Sequence, residues 1–414
     1  MKIAYLTGEY PRATDTFIQR EVAALRALGL EIATCSIRRT GAHHLVGKEQ
    51  RAEAAATFHV LPAAANPWNL FKAKLVALRH PARFFRALTL AWTTAPKGLR
   101  GRVYNLIYFA EAVVLAHHMR RENITHLHNH IAKSSCTVAM LAAALSDIPY
   151  SFTLHGPDTF FAPDHWRLDA KIARARFVAC ISNFARAQAM LFSDQRDWHK
   201  LKIIHCGVDP DRYDTPAARN GDRMLFVGRL AAVKGVPLLL EALAGTRQTL
   251  PDLRLTLVGD GPDRADLEAR ARELDLGHAV DFAGYRSQSE VAALLAKSDC
   301  LVLPSFAEGV PVVLMEAMAA RLPVIATRVG GTAELVEHGV SGHLIPPGDP
   351  AALRDAIVAT MTGANRAAMG DAGRARVKAE FDIGAEAARA AVLFHAGAAL
   401  PAETRPRLPG EASQ

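Results

Sequence analysis

The chain has 414 residues, 50% hydrophobic and 22% charged, with a formal net charge of +8, the proportions of a globular protein with real apolar cores and room for two or three domains. No apolar run reaches the roughly 18 residues needed to cross a bilayer. The five cysteines (Cys35, Cys136, Cys180, Cys206, Cys300) are scattered and form no CxxC or Cys/His cluster of zinc spacing, so a reduced, cytosolic protein is expected.

The N-terminal stretch MKIAYLTGEYPR has too short an apolar run for a signal peptide and reads as a first strand, KIAYLT. The stretch DTFIQREVAALRALG then reads as an amphipathic helix and EIATCSI as a second strand. Residues 54–110 stand apart, because they contain no Asp or Glu. Eight cations lie there (Lys72, Lys74, Arg79, Arg83, Arg86, Lys97, Arg100 and Arg102), a number equal to the whole charge excess. Trp68, Phe71, Phe84, Phe85 and Trp92 are interleaved with them. Cations mixed with large apolar residues suggest a membrane-surface helix or a polyanion site, with contact at a membrane surface the preferred reading. The segment holds no recognisable DNA- or RNA-binding module, so no nucleic-acid partner is expected.

Beyond it, strand-like ITHLHNH, YSFTLH, RFVACIS and LKIIHCG are followed by RMLFVG, LRLTLVG, AVDFAG, CLVLPS, LPVIAT and GHLIPP, with helical stretches between. The alternation predicts an α/β protein of parallel sheets with helices on both faces. Twelve strands exceed one comfortable sheet of about six, so two doubly wound, Rossmann-like domains are expected. The expected boundaries are 1–205 for the first domain, 206–221 for a linker rich in Pro, Asp and Gly, and 222–380 for the second domain. A terminal helix over 381–400 should pack back on the first domain, with a disordered tail at 401–414.

Ligands of open parallel sheets bind beyond the C-terminal strand ends, so chemistry is sought in the loops there. After RMLFV, Gly228 turns the chain, and Arg229 and Lys234 precede a helix starting near Val236, a natural diphosphate site. LVGDGPDRADLEA lacks both GK[ST] and GxGxxG, which disfavours a Walker loop and a dinucleotide cofactor. AEGVPVVLME carries Glu308 at the mouth of a helix and Glu316 eight positions on, roughly 10 Å along the element. Pro311 suits a first helical turn, and the N–H groups of Gly309 and Val310 are free to bind oxygens. Apolar neighbours around Glu316 imply burial, and a buried carboxylate needs a partner. Gly330 and Gly331 allow close backbone approach, with Thr332 as a helix cap and Glu334 and Glu337 in the helix. In the first half, His155 ends a strand ahead of Gly156 and Asp158. His126, His128 and His130 share one strand face, a metal-like set that no nearby acidic or Cys ligand completes. The preferred reading sets His130 beside His155 in the cleft, with no metal.

Taken in order, THLHNHIA, SFTLHGPD, IIHCGVDPDRY, LFVGRLAAVKG, LVGDGP and the run from Pro304 to Asp349 resemble glycosyltransferase family 4, of the GT-B fold. The opening GEYPRATDTFIQREVAAL is similar to the subgroup that builds bacterial exopolysaccharides. A single Gly8 stands where many members carry Gly-Gly, and EGVP replaces the common EGFG. The resemblance implies a retaining, metal-independent hexosyltransferase without cofactor, whose nucleotide-sugar donor is a substrate. Arg229 and Lys234 would hold the diphosphate, Glu308 the sugar hydroxyls and Glu316 the ribose. His155 would lie by the sugar, Gly228, Gly309, Val310 and Pro311 would shape the donor pocket, and Gly8, His130 and Asp158 would line the cleft. The first domain would bind a polyprenyl-diphosphate-linked glycan acceptor, held by residues 54–110 at the inner face of the cytoplasmic membrane. An epimerase or phosphorylase on the same fold, or a non-catalytic membrane-associated scaffold, are the alternative readings.

Overall fold

The computed structural model describes residues 1–12, 15–45, 47–214 and 221–396, so the expected tail and part of the expected linker lie outside the described residues. Two all-parallel sheets organise the chain. The first comprises β1 (Lys2–Glu9), β2 (Glu31–Arg38), β3 (Phe58–His59), β4 (His126–His130), β5 (Tyr150–Leu154), β6 (Val178–Cys180) and β7 (Leu201–Ile203), in the order β3-β2-β1-β4-β5-β6-β7. The second comprises β8 (Arg223–Val227), β9 (Arg254–Val258), β10 (Val280–Gly284), β11 (Cys300–Leu303), β12 (Val324–Thr327) and β13 (Gly342–Ile345), in the order β10-β9-β8-β11-β12-β13. Both orders reverse beside the first strand of their sheet, the switch point where ligand crevices form in such folds. All twelve expected strands are present. The addition is β3, which pairs only Phe58 with Cys35 and His59 with Ser36, too short to leave a periodic signal.

The strands are buried because helices cover both faces, which is why VAC, CLVL and VIAT read as continuous apolar runs. Helix α1 (Thr16–Ala27) covers one face of the first sheet through Ile18, Val22 and Leu25. Beside it lies the terminal helix Ile383–His395, whose Phe394 packs edge-on against Tyr5, His126, His128 and Phe177. This helix therefore returns to the first sheet, and Val208 seals the crossing by backbone bonds to Phe381 and Ile383. Most of the acid-free segment lies in four helices, Val60–Ala65, Pro67–Leu78, Pro81–Thr93 and the first half of Leu99–Arg121. No helix among the described residues is long and apolar enough to cross a membrane. All five cysteines are free and buried.

The first sheet buries an unusual number of histidines. His126 bonds Ser151 Oγ at 2.7 Å, while the two ring nitrogens of His128 meet Ser151 and Thr153 at 2.7 and 2.9 Å. Burial lowers His126 to about 3 and His118 to about 4, and lowers His128 well below its usual range. These groups are neutral in the fold but protonate in the unfolded chain below about pH 6.5. Their stabilisation is therefore present above that pH and lost as pH falls. Glu111, raised by burial to about 7, acts in the opposite sense as its carboxyl protonates. From pH 7 to 5 each of the three histidines costs about 2 kcal/mol and Glu111 returns a similar amount, a net loss of about 4 kcal/mol. Urea denaturation at the two pH values should show this drop. Equal or greater stability at pH 5 would contradict neutral buried histidines.

Candidate active site

Three loops meet where the two sheets face each other. The first follows β8 and carries Gly228, Arg229 and Lys234. Gly228 N–H donates to Val258 O at 2.9 Å, and a Cβ at Gly259 would lie 2.0 Å from the Gly228 carbonyl, so only glycine fits that crossing. The second loop follows β11 and carries Ser305 to Pro311. The third follows β12 and carries Gly330 and Gly331. Phe306 N–H bonds Val233 O at 2.8 Å, and Gly331 N–H bonds Gly309 O at 2.7 Å, which ties all three together. Gly330 has φ of +53°, and a Cβ there would lie 1.9 Å from the Glu308 carbonyl oxygen. A Cβ on Gly309 would lie 2.5 Å from the carbonyl oxygen of His155, so the second sheet's loop abuts the end of β5.

Lys234 Nζ donates to Glu308 Oε1 at 2.5 Å, and Ser305 Oγ donates to the same oxygen at 2.6 Å. Ser305 is in turn fixed through its carbonyl, which accepts from Thr327 Oγ1 at 2.5 Å. Arg229 is exposed and makes no ion pair among the described residues. A free cation and a shared one thus stand at the end of β8. Val310 is buried, and Pro311 is the residue before the helix Val312–Ala319, one position earlier than a first-turn proline. Thr332 likewise opens its helix, with Gly331 at the cap position.

Glu316 sits inside that helix with its side chain 11% exposed. Its Oε1 accepts from Arg20 at 2.5 Å and from the Tyr213 hydroxyl at 3.1 Å, and Arg20 also reaches Tyr213 Oη at 3.0 Å. Burial alone would lower the Arg20 pKa, but the attraction of Glu316 and Tyr213 outweighs it and the net shift is upward. Burial, then Glu316, pushes the Tyr213 hydroxyl up, so it stays protonated and donates. Glu334 makes a second crossing: its carboxylate accepts the N–H groups of Asn183 and Phe184 at 2.7 and 2.8 Å, at the start of the helix Asn183–Leu191.

On the first sheet, His155 Nε2 and His130 Nδ1 are 2.8 Å apart. His155 Nδ1 lies 3.7 Å from Cys206 Sγ, and Phe17 of α1 packs over the ring at 4.7 Å. Burial, then His130, lowers His155 well below the ordinary range, so the ring is neutral. Both ring nitrogens therefore have protein neighbours, and the 3.7 Å contact is the looser of the two. Gly8 is the last residue but one of β1, with open space where a Cβ would be. Asp158 is not gathered into this group. Its side chain is 71% exposed and pairs with Lys133 at 2.9 Å. The sequence offers no acidic neighbour for the histidine set, but the fold supplies one: ligand atoms of Glu21, His128 and His130 lie within 4.8 Å of one another. His128 is nonetheless engaged on both nitrogens by Ser151 and Thr153.

Arg20, Glu21, Tyr213, Ser305 and Cys206 escape sequence reasoning. Arg20 and Glu21 look like the solvated face of an amphipathic helix, and Tyr213 falls in a segment that reads as a linker. The only local signal is an Arg-Glu pair beside the buried stripe of Ile18 and Val22.

Two facing parallel sheets, with ionisable loops gathered at their C-terminal strand ends, define a GT-B glycosyltransferase scaffold. The family model described as Glycosyl transferases group 1 matches residues 209–376, and the Glycosyltransferase Family 4 model matches residues 70–212. Between them the two models match residues 70 to 376, so the chain is similar to glycosyltransferases along most of its length. It is 34% identical over 193 residues to the amylovoran biosynthesis glycosyltransferase AmsK of Erwinia amylovora, an alignment spanning 44% of this chain and 47% of that relative. It is 26% identical over 381 residues to the putative colanic acid biosynthesis glycosyltransferase WcaL of Escherichia coli, covering 87% of this chain and 90% of that one. The fold matches Anabaena Alr3699/HepE, solved in complex with UDP-glucose, with a TM-score of 0.73 at 18% identity over 96% of this chain and 100% of that one.

The loop crossing gives a direct check on this geometry. Gly330→Ala places a side chain in left-handed backbone against a carbonyl, and should cost at least about 2 kcal/mol of unfolding free energy. A loss below about 0.5 kcal/mol by urea titration would mean that the loops are not packed this way.

Proposed function

We propose that the chain transfers a sugar, with retention and without metal, from a nucleotide-sugar donor to a lipid-linked or oligosaccharide acceptor in exopolysaccharide or cell-surface polysaccharide synthesis. The observation that carries this reading is the meeting of Lys234 and Glu308, from loops after neighbouring strands, at 2.5 Å against the end of β5. A cation and a carboxylate in one crevice suit a diphosphate joined to a polyol. On donor binding, Arg229 and Lys234 take the diphosphate, and Glu308 turns from Lys234 to sugar hydroxyls. Glu316 accepts from the ribose hydroxyls. His155, neutral, accepts a sugar hydroxyl at Nδ1. Fixed cations then stabilise the charge that develops on the departing diphosphate, the largest contribution expected in such a site. The acceptor attacks from the face the nucleotide leaves, with Glu308 as electrostatic support. The relatives' names support the polysaccharide pathway, and HepE's complex supports a nucleotide-sugar donor.

A thermal-shift panel of UDP-, GDP- and ADP-sugars tests the donor. One member should raise the melting temperature in proportion to the logarithm of its concentration. Glu308→Ala should retain the fold and lose turnover by orders of magnitude, and wild-type turnover in that variant would refute the assignment.

The same proposal places the acceptor domain on an anionic membrane. Trp68, Phe71 and Leu75 are exposed on one helix, with Lys72 stacked 5.1 Å over Trp68. Phe85, Trp92, Leu99 and Tyr104 extend the exposed apolar surface, and Arg102 stacks 4.7 Å over Trp92. Each cation near such a surface contributes about 1 kcal/mol. The protein should float with phosphatidylglycerol vesicles and lose most of that flotation after Lys72→Glu, Lys74→Glu and Trp68→Ser combined. Undiminished flotation of the triple variant would sink the membrane assignment.

A further inference from the structure

Consecutive residues of α1 reach the two ends of the donor crevice. Arg20 crosses to the second sheet's helix and holds Glu316 Oε1 at 2.5 Å, with its side chain 10% exposed. Its other terminal nitrogen, Nη1, is buried without a hydrogen-bond partner among the described residues. Glu21 turns the other way. Its Oε1 accepts from the Tyr5 hydroxyl at 2.8 Å and stands 3.6 Å from His130 Nε2, just beyond hydrogen-bond distance, a buried nitrogen with no hydrogen-bond partner among the described residues. His130 Nδ1 is 2.8 Å from His155 Nε2.

We propose that Arg20 and Glu21 are a positioning pair that fixes the ribose-binding carboxylate and the sugar-facing histidine from a single helix of the acceptor domain. The inference rests on the donor reading above. The hydrogen-bond directions follow from the chemistry. A carboxylate accepts, so the proton of His130 is drawn to Nε2, facing Glu21. Its Nδ1 is then an acceptor, and His155 must carry its proton on Nε2. His155 Nδ1 is left as an acceptor met only by the long, weak contact of the Cys206 thiol at 3.7 Å, and a sugar hydroxyl is a stronger donor for it. At the other end, Arg20 and Tyr213 both occupy Oε1 of Glu316, so Oε2 is left for the ribose. The unpaired Nη1 of Arg20 is a buried donor that a ribose oxygen can satisfy.

The experiment compares UDP with 2′,3′-dideoxy-UDP by calorimetry, on wild type and on Arg20→Ala. Wild type should bind UDP at least about tenfold tighter than the dideoxy analogue. Arg20→Ala should erase most of that ratio, and Arg20→Lys should restore part of it. Should the alanine variant fail to fold, Arg20→Gln carries the same expectation. A wild-type ratio retained in the folded variant overturns the pairing role while leaving the donor reading intact. Failure of wild type to bind UDP, GDP or ADP overturns both. In parallel, histidine ¹⁵N shifts should report His155 protonated at Nε2 and bare at Nδ1, and Glu21→Gln should make both His130 and His155 mixtures of tautomers. Unchanged shifts in that variant overturn the role of Glu21.

Discussion

A carboxylate taken out of water must be met by a cation or by hydrogen-bond donors, because an uncompensated buried charge costs several kcal/mol. This constraint shapes the crevice. Glu308 finds Lys234 and Ser305 within its own half of the molecule. Glu316 finds Arg20 on the other half, and Glu334 finds the N-terminus of the helix Asn183–Leu191, also on the other half. Two of the three carboxylates can therefore be satisfied only when the sheets face each other at close range. The glycines finish what the charges begin. At Gly309 and Gly330 a side chain would strike the backbone of His155 or of Glu308, so the loops close to distances that only bare backbone allows.

The fold was legible because its signals are local. Each strand of a doubly wound sheet is a short apolar run, and each helix between them a 3.6-residue pattern, so alternation alone separates two sheets. What escaped was what no local pattern carries. The two-residue β3 is specified by its partner β2. Arg20 reads as a surface residue, since nothing near it in sequence reveals that its partner lies 296 residues away. Tyr213 was hidden in a Pro- and Asp-rich segment, yet it supports Glu316. The motif residues at the ends of β8 and β11 were legible as a set, because a strand end followed by a helix start fixes where a side chain must stand. Asp158 shows the limit of that rule. One helical turn beyond His155, its side chain leaves the crevice for Lys133.

The histidines of β4 carry a related lesson. Period-two spacing put His126, His128 and His130 on one face, which suggested a ligand set lacking an acid. The fold supplies the acid, Glu21, but Ser151 and Thr153 of the neighbouring strand engage both nitrogens of His128. Neutral imidazoles in hydroxyl-lined pockets need no ion to satisfy them, whereas a neutral ring that donates on one side must accept on the other. Passed from Glu21 through His130, that alternation gives His155 a direction.

The two carboxylate pairs also differ in how a nucleotide sugar would meet them. Lys234 and Glu308 are joined through the one oxygen that Ser305 also holds, and each is wanted by a different part of the donor: the amine by phosphate, the carboxylate by hydroxyls. On the proposed reading their bond would be exchanged when donor binds. Arg20 and Glu316 are joined through Oε1 alone, and Oε2 keeps its capacity, so on the same reading this bond would persist in the loaded site. On the proposed donor reading, a pair that persists would cost nothing to reorganise as the ribose arrives, and it would keep the first sheet's domain against the second while the other pair opens. The proposed ribose end would then be the fixed anchor of the crevice, and the proposed diphosphate end the place where charge is free to move as the bond from sugar to nucleotide breaks.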